Sequence, residues 1–192
     1  MVVNLRKGQK VDLSKDGNSS KHFLIGLGWD MDTRNGVDCD LDASVFCVDT
    51  NNKVRDENDF IFYNNLEHPT GCVKHKGDNR TGQGEGDDEQ IEIDLTLMPD
   101  YVERVIFAVT IHNAFERDQN FGQVKNAFIR VVDLESNQEV IRYDLTQDYS
   151  IETAIEIGAL YRKNGGWKFD AIGAGYANGL AELCNRHGLE TL

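Results

Sequence analysis

Residues 153–172 read TAIEIGALYRKNGGWKFDAI, and this stretch decides between a helical and a β-rich fold. The pair Asn164-Gly165 is the strongest short signal for a β-hairpin, because both central positions of such a turn require positive φ. The first half, Thr153–Arg162, also fits one apolar face of a helix. The turn favours a hairpin formed by Thr153–Arg162 and Trp167–Ile172.

The same alternation of apolar and polar residues, which is typical of strands with one buried face, recurs along the chain. It predicts strands at Val2–Leu5, Lys10–Leu13, His22–Trp29, Asp38–Val48, Phe60–Tyr63, Gln90–Leu95, Arg104–His112, Ala127–Val132 and Glu139–Leu145. Only Tyr176–Arg186 shows clear helical spacing. Short strands separated by turn signals predict an all-β sandwich with a short C-terminal helix. No linker or break in composition divides residues 1–192, which we therefore interpret as one domain.

Composition narrows the class of protein. Hydrophobic residues make up 40% of the 192 positions, which is enough for a buried core. No apolar run approaches the roughly 20 residues of a membrane helix, so we expect a protein that is not transmembrane. Met1–Leu13 lacks the apolar stretch of a secretory signal, and the four cysteines show no C-x-x-C spacing. These features favour a cytoplasmic protein with reduced thiols.

Negative charge is concentrated in two segments. The chain carries a net charge of −13. Residues 30–49 contain six Asp and one Arg, and residues 77–94 contain seven acidic residues and one Arg. A surface of this kind repels nucleic acid and attracts divalent cations.

The first acidic segment is an Asp triplet. Asp38, Asp40 and Asp42 alternate with period two, so in a strand all three carboxylates lie on one face. Two such charges about 4 Å apart near a protein surface repel each other by about 4 kcal/mol. Calcium is the natural counter-charge because it takes six to eight oxygen ligands in a flexible shell.

The second acidic segment, residues 77–89, is rich in glycine. Four glycines allow tight turns that direct carbonyl oxygens inwards, and no histidine lies in either segment. Neither segment has the residue pattern of an EF-hand. The candidate ligands that it adds are Asp78, Asn79, Gly82, Glu85, Gly86, Asp87, Asp88 and Glu89. Oxygen ligands in this number suit calcium better than magnesium, which prefers a rigid octahedron.

Several longer motifs follow one another along the chain. They are Gly26-Leu27-Gly28-Trp29-Asp30, Asp38 to Ser44, Phe62-Tyr63-Asn64-Asn65, Gly77 to Gln90, Asn120-Phe121-Gly122-Gln123-Val124 and Asn126-Ala127-Phe128-Ile129-Arg130. Together these motifs resemble the TerD family of tellurium-resistance and stress proteins. The resemblance extends from Val2 to about Gly188. It implies a β-sandwich that binds two calcium ions at neighbouring sites in the bacterial cytoplasm. It also implies that the Asp triplet and the glycine-rich loop share the ions.

Three further residues are candidates for the same site. Asp30 follows the strand that ends at Trp29 and opens the first acidic loop. Asn64 and Asn65 either ligate the ion or cap a turn.

Motifs for catalysis are missing from the sequence. No G-x-S-x-G elbow and no phosphate-binding G-x-x-x-x-G-K-[ST] loop occurs. We therefore expect a calcium-dependent scaffold, not an enzyme, with other stress-response proteins as partners at the inner face of the membrane. The alternatives are a calcium-dependent hydrolase and a small-ligand-binding module. The segment Asn113–Gln123 carries Phe115 and Phe121, which either form a recognition surface or plug the core.

The cysteines are expected to lack a reactive pair. Cys39 and Cys47 share the apolar face of one strand, and Cys184 lies on the apolar stripe of the helix. Cys72 alone is expected in an exposed turn. A lone thiol does not cycle as a reductant, so we predict no direct chemistry with tellurite.

Overall fold

The computed structural model describes residues 2–13, 20–31, 40–77, 86–145 and 149–190. These residues form twelve strands: β1 Val3–Leu5, β2 Lys10–Asp12, β3 His22–Met31, β4 Leu41–Val48, β5 Phe60–Ile61, β6 Val73–His75, β7 Glu89–Asp94, β8 Arg104–Ile111, β9 Val124–Asp133, β10 Gln138–Asp144, β11 Ala154–Lys163 and β12 Gly166–Tyr176. One α-helix follows, α1 Gly179–Arg186, and short 3-10 turns occupy Glu57–Asp59 and Phe121–Gln123. Among the described residues, no helix is long and apolar enough to cross a membrane.

The strands form two six-stranded sheets, which confirms the predicted sandwich. Sheet A has the order β1-β10-β9-β3-β7-β6, and sheet B has the order β2-β12-β11-β8-β4-β5. Inward-facing apolar side chains of both sheets pack into one main core. A second, smaller cluster lies where Leu183 and Cys184 of α1 pack on the other side of sheet B.

The predicted hairpin is confirmed. Strands β11 and β12 pair antiparallel, with Lys163 opposite Gly166. Asn164 and Gly165 have φ values of 55° and 76°, so the turn adopts the left-handed conformation that its sequence requires. The helical alternative for residues 153–162 is wrong.

The two N-terminal strands belong to different sheets. β1 pairs parallel with β10, placing Val3 opposite Ile141. β2 pairs antiparallel with β12, placing Lys10 opposite Asp170. The chain therefore passes from the edge of sheet A to the edge of sheet B within its first twelve residues.

Several predicted boundaries shift by a few residues in the structure, among them the starts of β4 and of the helix. β4 begins at Leu41, whereas the sequence predicted a start at Asp38. Asp38 and Cys39 lie outside the described residues. The helix begins at Gly179 instead of Tyr176 because β12 continues to that tyrosine. Thr153 holds this segment extended: its amide donates to the Tyr176 carbonyl, and its hydroxyl donates to the Ala177 carbonyl.

The expectation of an exposed Cys72 is wrong. Its side chain is fully buried in the main core, as is that of Cys47. Cys184 is buried on the inner face of α1, as predicted. Cys39 lies outside the described residues. The turn that precedes Cys72 is exposed, but the backbone then enters β6 and carries the cysteine inwards.

Candidate functional site

Acidic residues from both sheets meet at one end of the sandwich. β3 ends here, and its antiparallel neighbour β7 begins here, with Leu27 opposite Glu89. The start of β4, in the opposite sheet, faces them: the Ala43 amide donates to Glu89 Oε2 at 2.7 Å. This buried contact places Asp42 next to Glu89. We call this region the acidic end.

In the sheet A part of the acidic end, Asp88 links the start of β7 to the end of β3. Its Oδ2 accepts a hydrogen bond of 2.8 Å from the Trp29 amide, so it lies beside Asp30. Burial raises the pKa of Asp88, and the negative charges of Asp30 and Asp87 raise it further. A carboxyl group in this setting is stabilised by a nearby cation.

The sheet B part contains Asp40 and Asp42. Asp40 Oδ1 is buried and has no hydrogen-bond donor among the described residues. The Asp40 carbonyl accepts from the His112 amide at 2.7 Å, which continues the pairing of β4 with β8. Asp42 Oδ2 lies 3.5 Å from Nδ1 of the same histidine. A buried carboxylate oxygen without a donor is a position that a cation can satisfy.

Asp30 is more exposed than these residues. Its Oδ2 accepts a hydrogen bond of 2.6 Å from Asn126 Nδ2 on the neighbouring strand β9. This bond orients the carboxylate and leaves the other oxygen available to a ligand.

Asp87 has a different role from that of its neighbours. Arg130 binds both of its oxygens, at 2.6 Å from Nε and 2.9 Å from the second nitrogen, and Gln90 donates a third hydrogen bond of 3.1 Å. The carboxylate is fully buried over Gly26, where an added Cβ would lie 2.3 Å from its atoms. The guanidinium therefore supplies the counter-charge that the sequence assigned to a metal ion.

The remaining predicted ligands fall into two groups. Asn64 is exposed in a two-residue turn and lines a groove with Leu180 and Glu190, while the side chain of Asn65 donates to the Phe60 carbonyl as a turn cap. Gly86 adopts a φ of 115°, which a residue with a side chain rarely does. The candidates that lie outside the described residues are Asp38, Asp78, Asn79, Gly82 and Glu85. Within the described ranges, no three Asp, Glu, His or Cys side chains form a group that could hold a metal ion.

Two histidines from other strands also lie at the acidic end. His75 Nε2 lies 3.2 Å from Glu89 Oε2, and both side chains are buried. His112 is the neighbour of Asp42. Both reach the acidic end from other strands, and the only available signal was that His75 precedes the glycine-rich loop by a few residues.

A groove of about 990 Å³ adjoins Asp42 and His112. Phe115 lines it and is 96% exposed, whereas Phe121 is buried in the main core. Phe121 is therefore the core plug, and Phe115 is left exposed to solvent.

Comparison with known proteins places this architecture in a family. The TerD domain matches residues 1–187, which is nearly the whole chain. The chain belongs to the TerD family. It is 55% identical over 189 residues to tellurium resistance protein TerD of Serratia marcescens, covering 98% of each chain. It is 53% identical over 191 residues to general stress protein 16U of Bacillus subtilis, covering 99% of each.

A solved structure shares the TerD fold. It is a homologue of telluride resistance protein TerD from Streptomyces coelicolor, with a TM-score of 0.69 and 20% sequence identity. The match covers 86% of this chain and 95% of that one. The two proteins therefore share the two-sheet sandwich although only 20% of their residues are identical.

Proposed function

We propose that this TerD-family protein is a cytoplasmic, non-enzymatic stress-response protein that binds two calcium ions at its acidic end. The observation that carries the proposal is the buried Oδ1 of Asp40, which has no donor among the described residues and lies where the acidic segments converge. The Trp29 amide donates to Asp88 and the Ala43 amide donates to Glu89, so Asp30, Asp42, Asp88 and Glu89 lie at the same end of the sandwich. The number of ions follows from the two acidic segments.

Calcium suits these residues for two reasons. Carboxylate oxygens are its preferred ligands, and its shell tolerates the irregular geometry that arises when ligands come from both sheets and from loops. The bound ion would supply positive charge among carboxylates whose mutual repulsion costs about 4 kcal/mol per close pair. Asp87 is excluded from the proposed ligand set because Arg130 already binds both of its oxygens.

Calorimetry on chelator-treated protein tests the proposal. We expect two sites with dissociation constants of roughly 10⁻⁷ to 10⁻⁵ M, and poor competition by magnesium. Asp40→Asn should weaken binding. The matched control is Asp100→Asn, because Asp100 is exposed in the turn before β8, at the opposite end of the sandwich. Absence of binding heat at millimolar calcium would contradict the proposal.

The exposed Phe115 beside the acidic end supports a scaffold role. An aromatic side chain that is 96% exposed is a typical anchor of a protein interface. Charge neutralisation of the neighbouring acidic end by calcium would allow a partner to approach it. We therefore propose that other stress-response proteins dock here when calcium is bound.

Affinity capture from a cell lysate, with and without calcium, tests this role. Wild type should retain specific stress-response proteins with calcium, and Phe115→Ala should lose them while keeping its calcium affinity. Retention of the same proteins by the variant, or by chelator-treated wild type, would remove Phe115 or calcium from the docking mechanism.

A further inference from the structure

Another cavity, of about 750 Å³, lies on the outer face of sheet B, between the edge strand β2 and the end of α1. Six charged side chains line it: Lys10, Lys53, Arg104, Glu156, Asp170 and Arg186. Four of them are cationic and two are carboxylates, so the lining carries a net charge of +2 in a chain whose net charge is −13. Lys10, Lys53 and Arg186 are exposed, so solvent reaches the cavity directly. We call it the basic cavity.

The loop after β4 and the end of α1 form one wall of the basic cavity. The Val54 amide donates to the His187 carbonyl at 2.9 Å, and Lys53 Nζ donates to the Arg186 carbonyl at 2.5 Å. His187 Nδ1 lies 3.0 Å from the Asn52 carbonyl, which can only accept, so this nitrogen donates the hydrogen bond. These three contacts fix the loop and the helix end together, and they hold Lys53 next to Arg186.

Both carboxylates of the lining already have partners. Glu156 Oε1 lies 3.0 Å from Nε2 of the buried His187. Asp170 Oδ2 lies 3.4 Å from Lys10 Nζ and 3.3 Å from an Arg104 guanidinium nitrogen. Asp170 therefore cancels one of the two positive charges beside it, and the other remains.

The basic cavity contains hydrogen-bond donors that lack an acceptor. Arg104 Nε is buried and has no partner among the described residues. Lys53 and Arg186 form no ion pair with a carboxylate in the part of the chain that the structure describes. The Arg186 guanidinium lies 4.6 Å from the centre of the Tyr176 ring, a contact that positions it without supplying an acceptor. A buried donor without an acceptor costs free energy, which an anion in the cavity would recover.

We propose that the basic cavity is a binding site for a small organic phosphate. An arginine guanidinium matches two phosphate oxygens with a fork of N–H donors, and a lysine adds a point charge. A phosphate monoester carries a charge of roughly −1.5 to −2 at pH 7, which the net charge of +2 balances. Ile106 and Ile172 line the same cavity and provide an apolar surface for the organic part. The volume lies in the usual range of small-molecule sites, about 300 to 1,000 Å³.

The charge of the whole chain limits the size of the ligand. A net charge of −13 repels an extended polyanion such as nucleic acid. A small phosphate ester inside the cavity interacts mainly with charges within the Debye length, which is about 8 Å at physiological ionic strength. The lining of the basic cavity and the acidic end have no described residue in common, so phosphate binding does not require calcium.

NMR titration of the ¹⁵N-labelled full chain tests the proposal, with phenyl phosphate and inorganic phosphate as probes. Calcium and chelator are first removed, because calcium precipitates phosphate and a chelator is itself an anion. We expect saturable shifts of the Gly8 and Ala171 amides, since both residues line the cavity. Phenyl phosphate should bind more tightly than inorganic phosphate, because its ring covers Ile106 and Ile172. Absence of saturable shifts at millimolar phenyl phosphate would overturn the proposal.

Variants separate a built site from general electrostatic attraction. Arg104→Gln should weaken phenyl phosphate binding by roughly tenfold or more, as expected for the loss of a charge-assisted hydrogen bond. The matched control is Arg142→Gln, which removes the same charge from β10 in sheet A and should bind as wild type does. Equal losses in the two variants would contradict a site in the basic cavity.

The exposed cations provide a test that leaves the core unchanged. Lys53→Gln and Arg186→Gln should each weaken phenyl phosphate binding, even if Arg104→Gln fails to fold. Wild-type affinity in both variants would overturn the proposal. Sedimentation with phosphatidylglycerol vesicles distinguishes a soluble ligand from a lipid headgroup: we expect the protein to stay in the supernatant. Co-sedimentation that Lys53→Gln and Arg186→Gln abolish would assign the cavity to lipid headgroups and contradict a soluble ligand.

Discussion

Arg130 on β9 binds both carboxylate oxygens of Asp87, which itself lies directly over the backbone of Gly26 on β3. One ion pair thus spans from the loop before β7, across β3, to β9. The glycine is required because any side chain at that position would occupy the space of the carboxylate.

The first prediction follows from this ion pair. Arg130→Met leaves the buried Asp87 charge with Gln90 as its remaining side-chain donor, and should lower the free energy of unfolding by roughly 3 kcal/mol. Urea denaturation measures the loss. The double variant with Asp87→Asn should recover part of it, because the unpaired charge is then removed. A loss in the double variant equal to the sum of the losses in Arg130→Met and Asp87→Asn alone would show that the two residues are not coupled.

The second prediction concerns stabilisation by calcium. Binding to the folded state alone stabilises by about 2.7 kcal/mol per site at a hundredfold excess over the dissociation constant. The melting temperature should rise on addition of calcium, and the rise should be smaller for Asp40→Asn than for Asp100→Asn. Asp87→Asn should keep the calcium stoichiometry of wild type. An equal rise in the Asp40 and Asp100 variants would remove Asp40 from the site.

The third prediction concerns metal selectivity. His112 lies 3.5 Å from Asp42 and His75 lies 3.2 Å from Glu89, and imidazole nitrogen is a ligand that zinc favours but calcium does not need. His112→Ala should therefore change calcium affinity less than twofold, by roughly 0.4 kcal/mol or less, while weakening zinc binding. Competition calorimetry with both ions measures this. A larger loss for calcium than for zinc would mean that the site is not an oxygen site.

The fourth prediction is a pH dependence that arises from the buried pair His68 and Asp59. His68 Nε2 lies 3.0 Å from Asp59 Oδ1, and this hydrogen bond is the main cause that raises the pKa of His68 to about 9. Because the folded pKa is raised, the contribution of His68 to stability is present below about 6.5 and is lost as pH rises through 9.

The free energy of unfolding of wild type, relative to that of His68→Gln, should therefore decline between about pH 6.5 and pH 9. Urea unfolding of both proteins across this range measures the difference. A difference that is constant from pH 5 to 9 would contradict a charged imidazole paired with Asp59.

Local signals in the sequence predicted most of the fold. The hairpin of β11 and β12 could be predicted from the sequence, because Asn164-Gly165 specifies its turn without any contribution from the rest of the chain. β6 was missed because Val73–His75 is too short to show alternation and becomes a strand only by pairing with β7. Similarly, the end of β12 depended on hydrogen bonds from the distant Thr153.

The candidate site was predictable only in part, because its partners come from distant strands. A carboxylate in an acidic loop is locally indistinguishable from a metal ligand, so the pairing of Asp87 with Arg130 could not be anticipated. The burial of Cys72 likewise depends on how the segment that leads into β6 packs into the main core. The Asp triplet, in contrast, was visible because its pattern is local.

The parallel pairing of β1 with β10 and the pairing of β2 with β12 have a consequence for synthesis in the cell. Val3–Leu5 and Lys10–Asp12 are synthesised long before their partners, which begin at Ile141 on β10 and Lys168 on β12. Neither sheet can close this edge until its partner strand has been made, and pairing of such distant segments is slow. The nascent chain therefore exposes strand edges during this interval, a state in which chaperones commonly protect β-rich proteins from aggregation.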